Sequence, residues 1–250
     1  MRILLVNPNS TASMTDKAAE AARAVAAAGT EIVATNPEPG RSPASIEGHA
    51  DEAACVPPLL GLIRQGIADG ADAVVVACFD DPGLYACRSV TDRPVVGTCE
   101  AAMLSASMVA GRFGVVSTLP CAVPIIEDLA HRYGMAAKCM HVRAADVPVL
   151  SLEEPGSPAR ERVRQQVKAM VEEDGAEAVL LGCAGMADLA ADLSAEFGVP
   201  VIDGVAAGVK MAEALVGLGL QTSKARTFAW PRDKSDTSVR DAPSLRGAAG

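Results

Sequence analysis

Residues 71–84, Ala71-Asp-Ala-Val-Val-Val-Ala-Cys78-Phe-Asp-Asp-Pro-Gly-Leu84, decide the fold. Val74, Val75 and Val76 form an apolar, β-branched run without polar alternation, the pattern of a strand buried on both faces of a parallel sheet. The run stops at Cys78, and the turn-forming Asp80-Asp81-Pro82-Gly83 follows at once. A thiol at the carboxyl end of such a strand stands where open α/β sheets hold their ligands.

The phrase occurs twice. Gly70-Ala-Asp-Ala-Val-Val-Val-Ala-Cys78 is echoed by Gly175-Ala-Glu-Ala-Val-Leu-Leu-Gly-Cys183, with the cysteines 105 residues apart. Pro94-Val-Val-Gly97 matches Pro200-Val-Ile-Asp203 at an offset of 106. Upstream, Arg2–Val6 ending in Asn7-Pro-Asn-Ser10 parallels Arg112–Val116 ending in Ser117-Thr-Leu-Pro120, offset by 110. Three matched strand ends at nearly constant spacing imply two similar halves, each delivering one cysteine from an equivalent strand.

Around this repeat, strand and helix alternate along the whole chain, which predicts α/β architecture: two pseudo-symmetric Rossmann-like lobes with parallel sheets and an active site in the cleft between them. The first lobe is expected over 1–98, completed by a C-terminal helix over 204–220 that packs back on it, and the second over 99–203. Ser10 or Thr11 is the expected N-cap of the first, alanine-rich helix. Residues 36–49 form a loop rich in Pro, Gly and Ser, long enough to suggest function. The helix expected over 51–69 contains Pro57-Pro58 and should kink or break there. Residues 144–157 read as a second loop. Residues 231–250, without periodicity, read as a disordered tail.

Composition narrows the function. At 250 residues, half of them hydrophobic, the chain can bury a full core. A net charge of −9 gives little electrostatic support to binding nucleic acid or an anionic membrane. No apolar run approaches the ~20 residues of a membrane helix, and Met1-Arg2 leads straight into a strand, so a cytoplasmic protein is expected. Seven scattered cysteines make no CxxC pair and three histidines make no cluster, so neither a disulfide framework nor a metal site is expected. Cys55, Cys87, Cys99, Cys121 and Cys139 read as small core residues.

Cys78 and Cys183 read differently because of the repeat. Nucleophilic catalysis normally pairs a cysteine with a histidine, and His49, His131 and His141 all lie away from the predicted strand ends. Two opposed cysteines suit another chemistry: a thiolate removes a proton from carbon while a thiol donates from the far side, and the carbon inverts. Backbone N–H groups after each cysteine would lower the thiol pKa and steady an enolate oxygen. A redox pair and two buried structural cysteines are the competing readings.

The motifs VNPNS at the N-terminus, PASIEGHADEA from Pro43, ACFDDPGL around Cys78, FGVVSTL from Phe113, RYGM, VRAADVPVL and LGCAGM around Cys183 resemble those of the aspartate/glutamate/hydantoin racemase superfamily. Within it the chain is most similar to the hydantoin and allantoin racemases. The resemblance covers roughly residues 1–230. It implies a cofactor-independent racemase with Cys78 and Cys183 as the catalytic pair, a small cyclic ureide as substrate, and a homo-oligomer. A maleate-isomerase-like or decarboxylase-like enzyme of the same superfamily is the alternative, as is a non-catalytic ligand-binding protein on the same fold.

Glutamate racemases follow their first cysteine with Asn-Thr and their second with Thr-His; here those positions hold Phe79-Asp80 and Ala184-Gly185. The groups suited to an amino acid are gone; Ala184 and Gly185 are expected to contact the substrate, and Phe79 with the apolar stretch at Ala184 and Met186 leaves room for a ring substituent. Asn9, Ser10, Ser117 and Thr118 follow equivalent strands, so their donors should face the cleft, unless they merely cap the next helices. Phe79 should wall the pocket or pack in the core. Ile46 lies in the long loop that would close over a ligand. Glu47 beside it reads as solvated, and Asp80 and Asp81 as shaping the turn.

Overall fold

The computed structural model describes residues 1–152, 154 and 156–232. Strands β1 (Arg2–Val6), β2 (Glu31–Thr35), β3 (Ala73–Val76) and β4 (Val95–Gly97) form one sheet in the order β2-β1-β3-β4, parallel throughout. Strands β5 (Phe113–Ser117), β6 (Cys139–Ala144), β7 (Ala178–Leu181) and β8 (Val201–Asp203) form a second parallel sheet in the equivalent order, β6-β5-β7-β8. The repeat seen in the sequence is therefore a repeat of topology.

Each strand alternates its side chains between two helical layers. In the first sheet Ile3, Leu5, Ala73 and Val75 point to helices α1 (Ala12–Val25) and α8 (Gly204–Gly217). Leu4, Val6, Val74 and Val76 point to the opposite layer, where helix α2 (His49–Ala68) supplies Leu59 and Ile63. In the second sheet Phe113, Val115, Ala178 and Leu180 meet helices α4 (Thr98–Val109) and α5 (Ala122–Arg132). Val116, Val179 and Leu181 meet helices α6 (Ala159–Glu172) and α7 (Ala190–Phe197). Most of these side chains are fully buried, each contributing roughly 1.5–3 kcal/mol of transfer free energy.

Two helices cross between the halves. α4 leaves the first sheet at β4, yet Cys99, Ala102, Met103 and Ala106 are buried against the second. α8 leaves the second sheet at β8, yet Val205, Val209 and Ala212 are buried against the first. A short helix, α3 (Leu84–Ser89), follows the Cys78 turn.

Three local expectations change. α2 runs as one helix through Pro57-Pro58. Ala53 and Ala54, whose carbonyls lose their donors to these prolines, lie exposed to water, and the buried Cys55, Leu59 and Ile63 hold the helix to the sheet. Thr11 occupies the N-cap position of α1 but makes no side-chain cap, because its hydroxyl donates to the Ala44 carbonyl at 2.7 Å. The segment after Cys183 first winds as a 3-10 helix over Ala184–Leu189, and so does Val149–Leu152 inside the expected loop 144–157. Of the tail expected over 231–250, all beyond residue 232 lies outside the described residues.

Candidate active site

Cys78 and Cys183 arise from identical local construction. The last paired residues of β3 and β7, Val76 and Leu181, lie opposite Val6 and Val116. One residue on, the Ala77 N–H donates to the Val6 carbonyl and the Gly182 N–H to the Val116 carbonyl, both at 2.8 Å. The next residue in each case is the cysteine. Each sheet is thus held to its final hydrogen bond, and the thiol is the first side chain beyond it. A Cβ at Gly182 would lie 3.0 Å from the Ser117 Cα and the Val116 oxygen, a tight contact, whereas the equivalent Ala77 carries its Cβ with a hydrogen bond of the same length.

Both cysteines are half-buried and line one cavity between the two sheets. With them stand Asn9, Ile46, Phe79, Ser117, Thr118 and Ala184 of the residues expected from sequence. The cavity volume is about 30 Å³. Among the described residues lining it there is no Lys, Arg or His.

Ser10 and Gly185 stand outside the lining. The Ser10 hydroxyl faces the Ser42 and Pro43 carbonyls at 3.0 and 3.2 Å, tying the 36–48 loop to the end of β1. A Cβ at Gly185 would meet a Leu152 methyl at 3.3 Å and the Cys183 sulfur at 3.6 Å. Nor do Asn9, Ser117 or Thr118 cap a helix: α1 and α5 begin after Thr11 and Cys121, without side-chain caps. Asn9 is shaped from its carbonyl end, where Oδ1 accepts from Asn7 Nδ2 and the Thr11 N–H, both at 2.9 Å. Its Nδ2 reaches the weak acceptor Met14 Sδ at 3.5 Å, so the amide keeps donor capacity at the cavity wall. Phe79 both lines the cavity and packs into the core of the second sheet.

Sequence reasoning missed Met14, Glu47, Asp80, Leu119 and Val149 among the lining residues. Glu47 is the clearest correction, because it is not a solvated loop residue. Its Oε1 accepts the Val149 N–H at 3.0 Å and its carbonyl faces the Cys121 sulfur at 3.3 Å. Only the docking of the two halves makes these partners available, and 102 residues separate Glu47 from Val149.

The electrostatics are acidic. Burial pushes the Cys78 thiol well above its ordinary value, and the Asp80 carboxylate adds to the push. The Asp80 N–H bonds to the thiol and pulls the other way, as expected for a backbone donor, but it is outweighed. Cys183 lies close enough for its charge to act on Cys78 as well. Asp80 is itself lifted to about 7 by burial, then by Glu52 and Asp81. Cys55, on the α2 face below Cys78, is pushed to about 12 by burial and Glu52, which makes it inert. Among the described residues no group of three or more His, Cys, Asp or Glu side chains could hold a metal ion.

The chain and its fold resemble those of known proteins. A profile described as Asp/Glu/Hydantoin racemase matches residues 3–212. A hydantoin racemase of Rhizobium meliloti is 54% identical over 235 residues, covering 94% of this chain and 97% of its own. The solved structure of an allantoin racemase from Klebsiella pneumoniae superposes with a TM-score of 0.91 at 49% identity, covering 94% of this chain and 95% of that one. Arylmalonate decarboxylase, at 15% identity and a TM-score of 0.60 over 88% of this chain and 94% of its own, shares the fold. The chain belongs to the Asp/Glu/hydantoin racemase family, and it is an isomerase of the racemase type.

Proposed function

We propose that the substrate is a five-membered cyclic ureide, a 5-monosubstituted hydantoin or allantoin, and that Cys78 and Cys183 invert its ring carbon C5 by two-thiol proton transfer without metal or organic cofactor. The observation that carries this reading is the pair of thiols at equivalent strand ends, both lining one cavity. One sulfur, as thiolate, takes the C5 proton, and the C–H electron pair passes into the adjacent carbonyl as an enolate. The other thiol delivers its proton to the opposite face of C5 and is left as thiolate, so the pair ends with its proton exchanged and no net charge moved. A ring C5 next to an imide-like carbonyl is acidic enough for a thiolate to serve as base.

The wall suits such a ring. The Asn9 amide and the Thr118 hydroxyl are donors of the kind that match its carbonyls, while the Ser117 hydroxyl donates to the Gly182 carbonyl at 3.4 Å and keeps lone pairs for a ring N–H. A free amino acid or a dicarboxylic acid suits it less, since the described lining offers no cation and includes the carboxyls of Glu47 and Asp80. That acidity also disfavours a decarboxylase acting on a malonate.

The test is to replace each cysteine singly by serine and follow optical rotation together with C5–H exchange in heavy water. We expect racemisation to fall by about 10²–10⁴ in Cys78→Ser and in Cys183→Ser. Exchange should persist in each variant, with opposite enantiomer preference. Undiminished racemisation in either single variant overturns the two-thiol reading.

A further inference from the structure

Part of the polarity of the cavity wall is set by residues that do not line it. Asn7 stands one residue beyond Val6 as Ser117 stands one beyond Val116, at the same register of the two sheets, but Ser117 lines the cavity and Asn7 does not. Asn7 is 3% exposed, and Asn9 and Thr15 are 4% exposed. A buried amide is costly unless both its ends are paired, so the direction of each hydrogen bond matters. The directions can be followed from Asn36, where the 36–48 loop begins. Asn36 Nδ2 donates to the Pro37 carbonyl at 2.9 Å, which leaves Oδ1 for Thr15. The Thr15 hydroxyl has a single proton and gives it to that oxygen at 2.8 Å, the Thr11 carbonyl being a longer alternative at 3.3 Å. Thr15 therefore meets Asn7 with a lone pair and accepts from Asn7 Nδ2 at 3.0 Å. The same Nδ2 donates to Asn9 Oδ1 at 2.9 Å, and Asn7 Oδ1 accepts the Asn9 N–H at 3.2 Å. One neighbour thus grips Asn9 by main chain and side chain together. With Oδ1 committed to Asn7 and to the Thr11 N–H, a flipped Asn9 amide would set its NH2 against two donors.

We infer that Asn7 is a positioning residue for Asn9: backed by Thr15 and Asn36, it fixes the Asn9 amide so that N–H and not C=O is presented to the cavity. The inference rests on the proposed ureide chemistry for its effect on rate, but not for its geometry. A donor at that wall binds a ring carbonyl weakly and the enolate oxygen strongly, because negative charge grows on that oxygen as C5 loses its proton. A donor locked in place beforehand needs no reorganisation when the charge appears. Asn7 touches no substrate, so its influence reaches the reaction through Asn9, and it falls on kcat more than on KM.

The test is a double-mutant cycle on the full-length protein, with 5-monosubstituted hydantoins and allantoin as substrates, read beside crystal structures of the variants. Asn9→Ala is expected to lower kcat about 10²-fold, as for the loss of one oxyanion donor. Asn7→Ala should lower kcat about tenfold with KM within about threefold, and should lower it no further in the Asn9→Ala background. Losses that multiply, or a loss confined to KM, would show Asn7 acting apart from Asn9 and overturn the inference. Asn7→Ser copies the residue at the equivalent point of the second half and is too short to reach Asn9 Oδ1. It takes the place of Asn7→Ala in both arms if circular dichroism shows that variant unfolded. The crystallographic arm needs no turnover. With Asn7 replaced, the Asn9 side chain should leave its parent rotamer or divide between two, and an Asn9 amide that stays in place overturns the inference. A parent protein inactive on every hydantoin and on allantoin would count against the ureide reading, and the position of Asn9 in the variant would then decide the role of Asn7 alone.

Discussion

Asp81 is the residue on which the two halves differ most instructively. In the second half β8 ends in Asp203, which caps its own helix, accepting from the Val205 and Ala206 N–H at 3.2 and 2.8 Å. The register puts Gly97 at the equivalent point of the first half. There the carboxylate comes instead from Asp81, which accepts from the Cys99 and Glu100 N–H at 3.2 and 3.0 Å and from the Tyr133 hydroxyl at 2.8 Å. A Cβ at position 97 would run into that carboxylate, so glycine is required. Burial still lifts Asp81 to about 7 despite the three donors, and Asp80 to about 7 beside it. Unfolded, both carboxyls titrate near ~3.9. Between about 4 and about 7 the folded state therefore holds more protons than the unfolded one, and stability falls as pH rises through that window. We expect the melting temperature to be lower near pH 8 than near pH 5, by roughly 4–8 °C for each ~2 kcal/mol lost. Asp80→Asn should flatten the dependence. A melting temperature that stays level or rises over the same range would contradict this account of the two carboxyls.

At the scale of elements, the 36–48 loop is organised as a strap. Ser10 and Thr11 hold its middle through the Ser42, Pro43 and Ala44 carbonyls. The Ser42 hydroxyl donates back to the Pro8 carbonyl at 2.6 Å. Beyond this anchor, Ile46 is buried over the cavity and Glu47 reaches the other half at Val149. The hydrogen bond to a carboxylate is the strong point of the closure, worth on the order of 1.5–3 kcal/mol. We expect Glu47→Ala to raise KM about tenfold or more and to lower the melting temperature by several degrees, at roughly 4–8 °C for each ~2 kcal/mol lost. Steady-state kinetics with a thermal melt separates this from the opposite outcome, an unchanged KM, in which the strap contributes nothing to ligand retention.

For the whole molecule, the exchange of α4 and α8 decides how the halves cohere. We propose that residues 1–98 with 204–220 form one lobe and 99–203 the other, which matches where the buried faces of both helices lie. Neither sheet is then covered without a helix whose strand belongs to the other. Phe79 adds to the bond, leaving the first sheet to pack in the core of the second. Calorimetry of the intact chain is expected to give one cooperative transition. Met103→Ala, fully buried on α4, should lower the stability of that single transition by about 2–5 kcal/mol. Two resolved transitions, of which Met103→Ala moves only one, would show that the halves fold independently.

Much of this was legible in the chain before folding. The strands, the parallel α/β class and the two equivalent cysteines follow from local apolar runs and their repetition, because a strand buried on both faces must be apolar wherever it occurs. Asn9, Ser117 and Thr118 could be placed at the cavity because they stand within three residues of a strand end, and strand direction carries over that distance. Ser10 could not be separated from Asn9 on the same ground, since neighbouring residues point to different sides. The unbroken α2 depended on which carbonyls its prolines freed and on water reaching them. Glu47, Met14 and Val149 entered the site through docking across long stretches of chain, which no local pattern records.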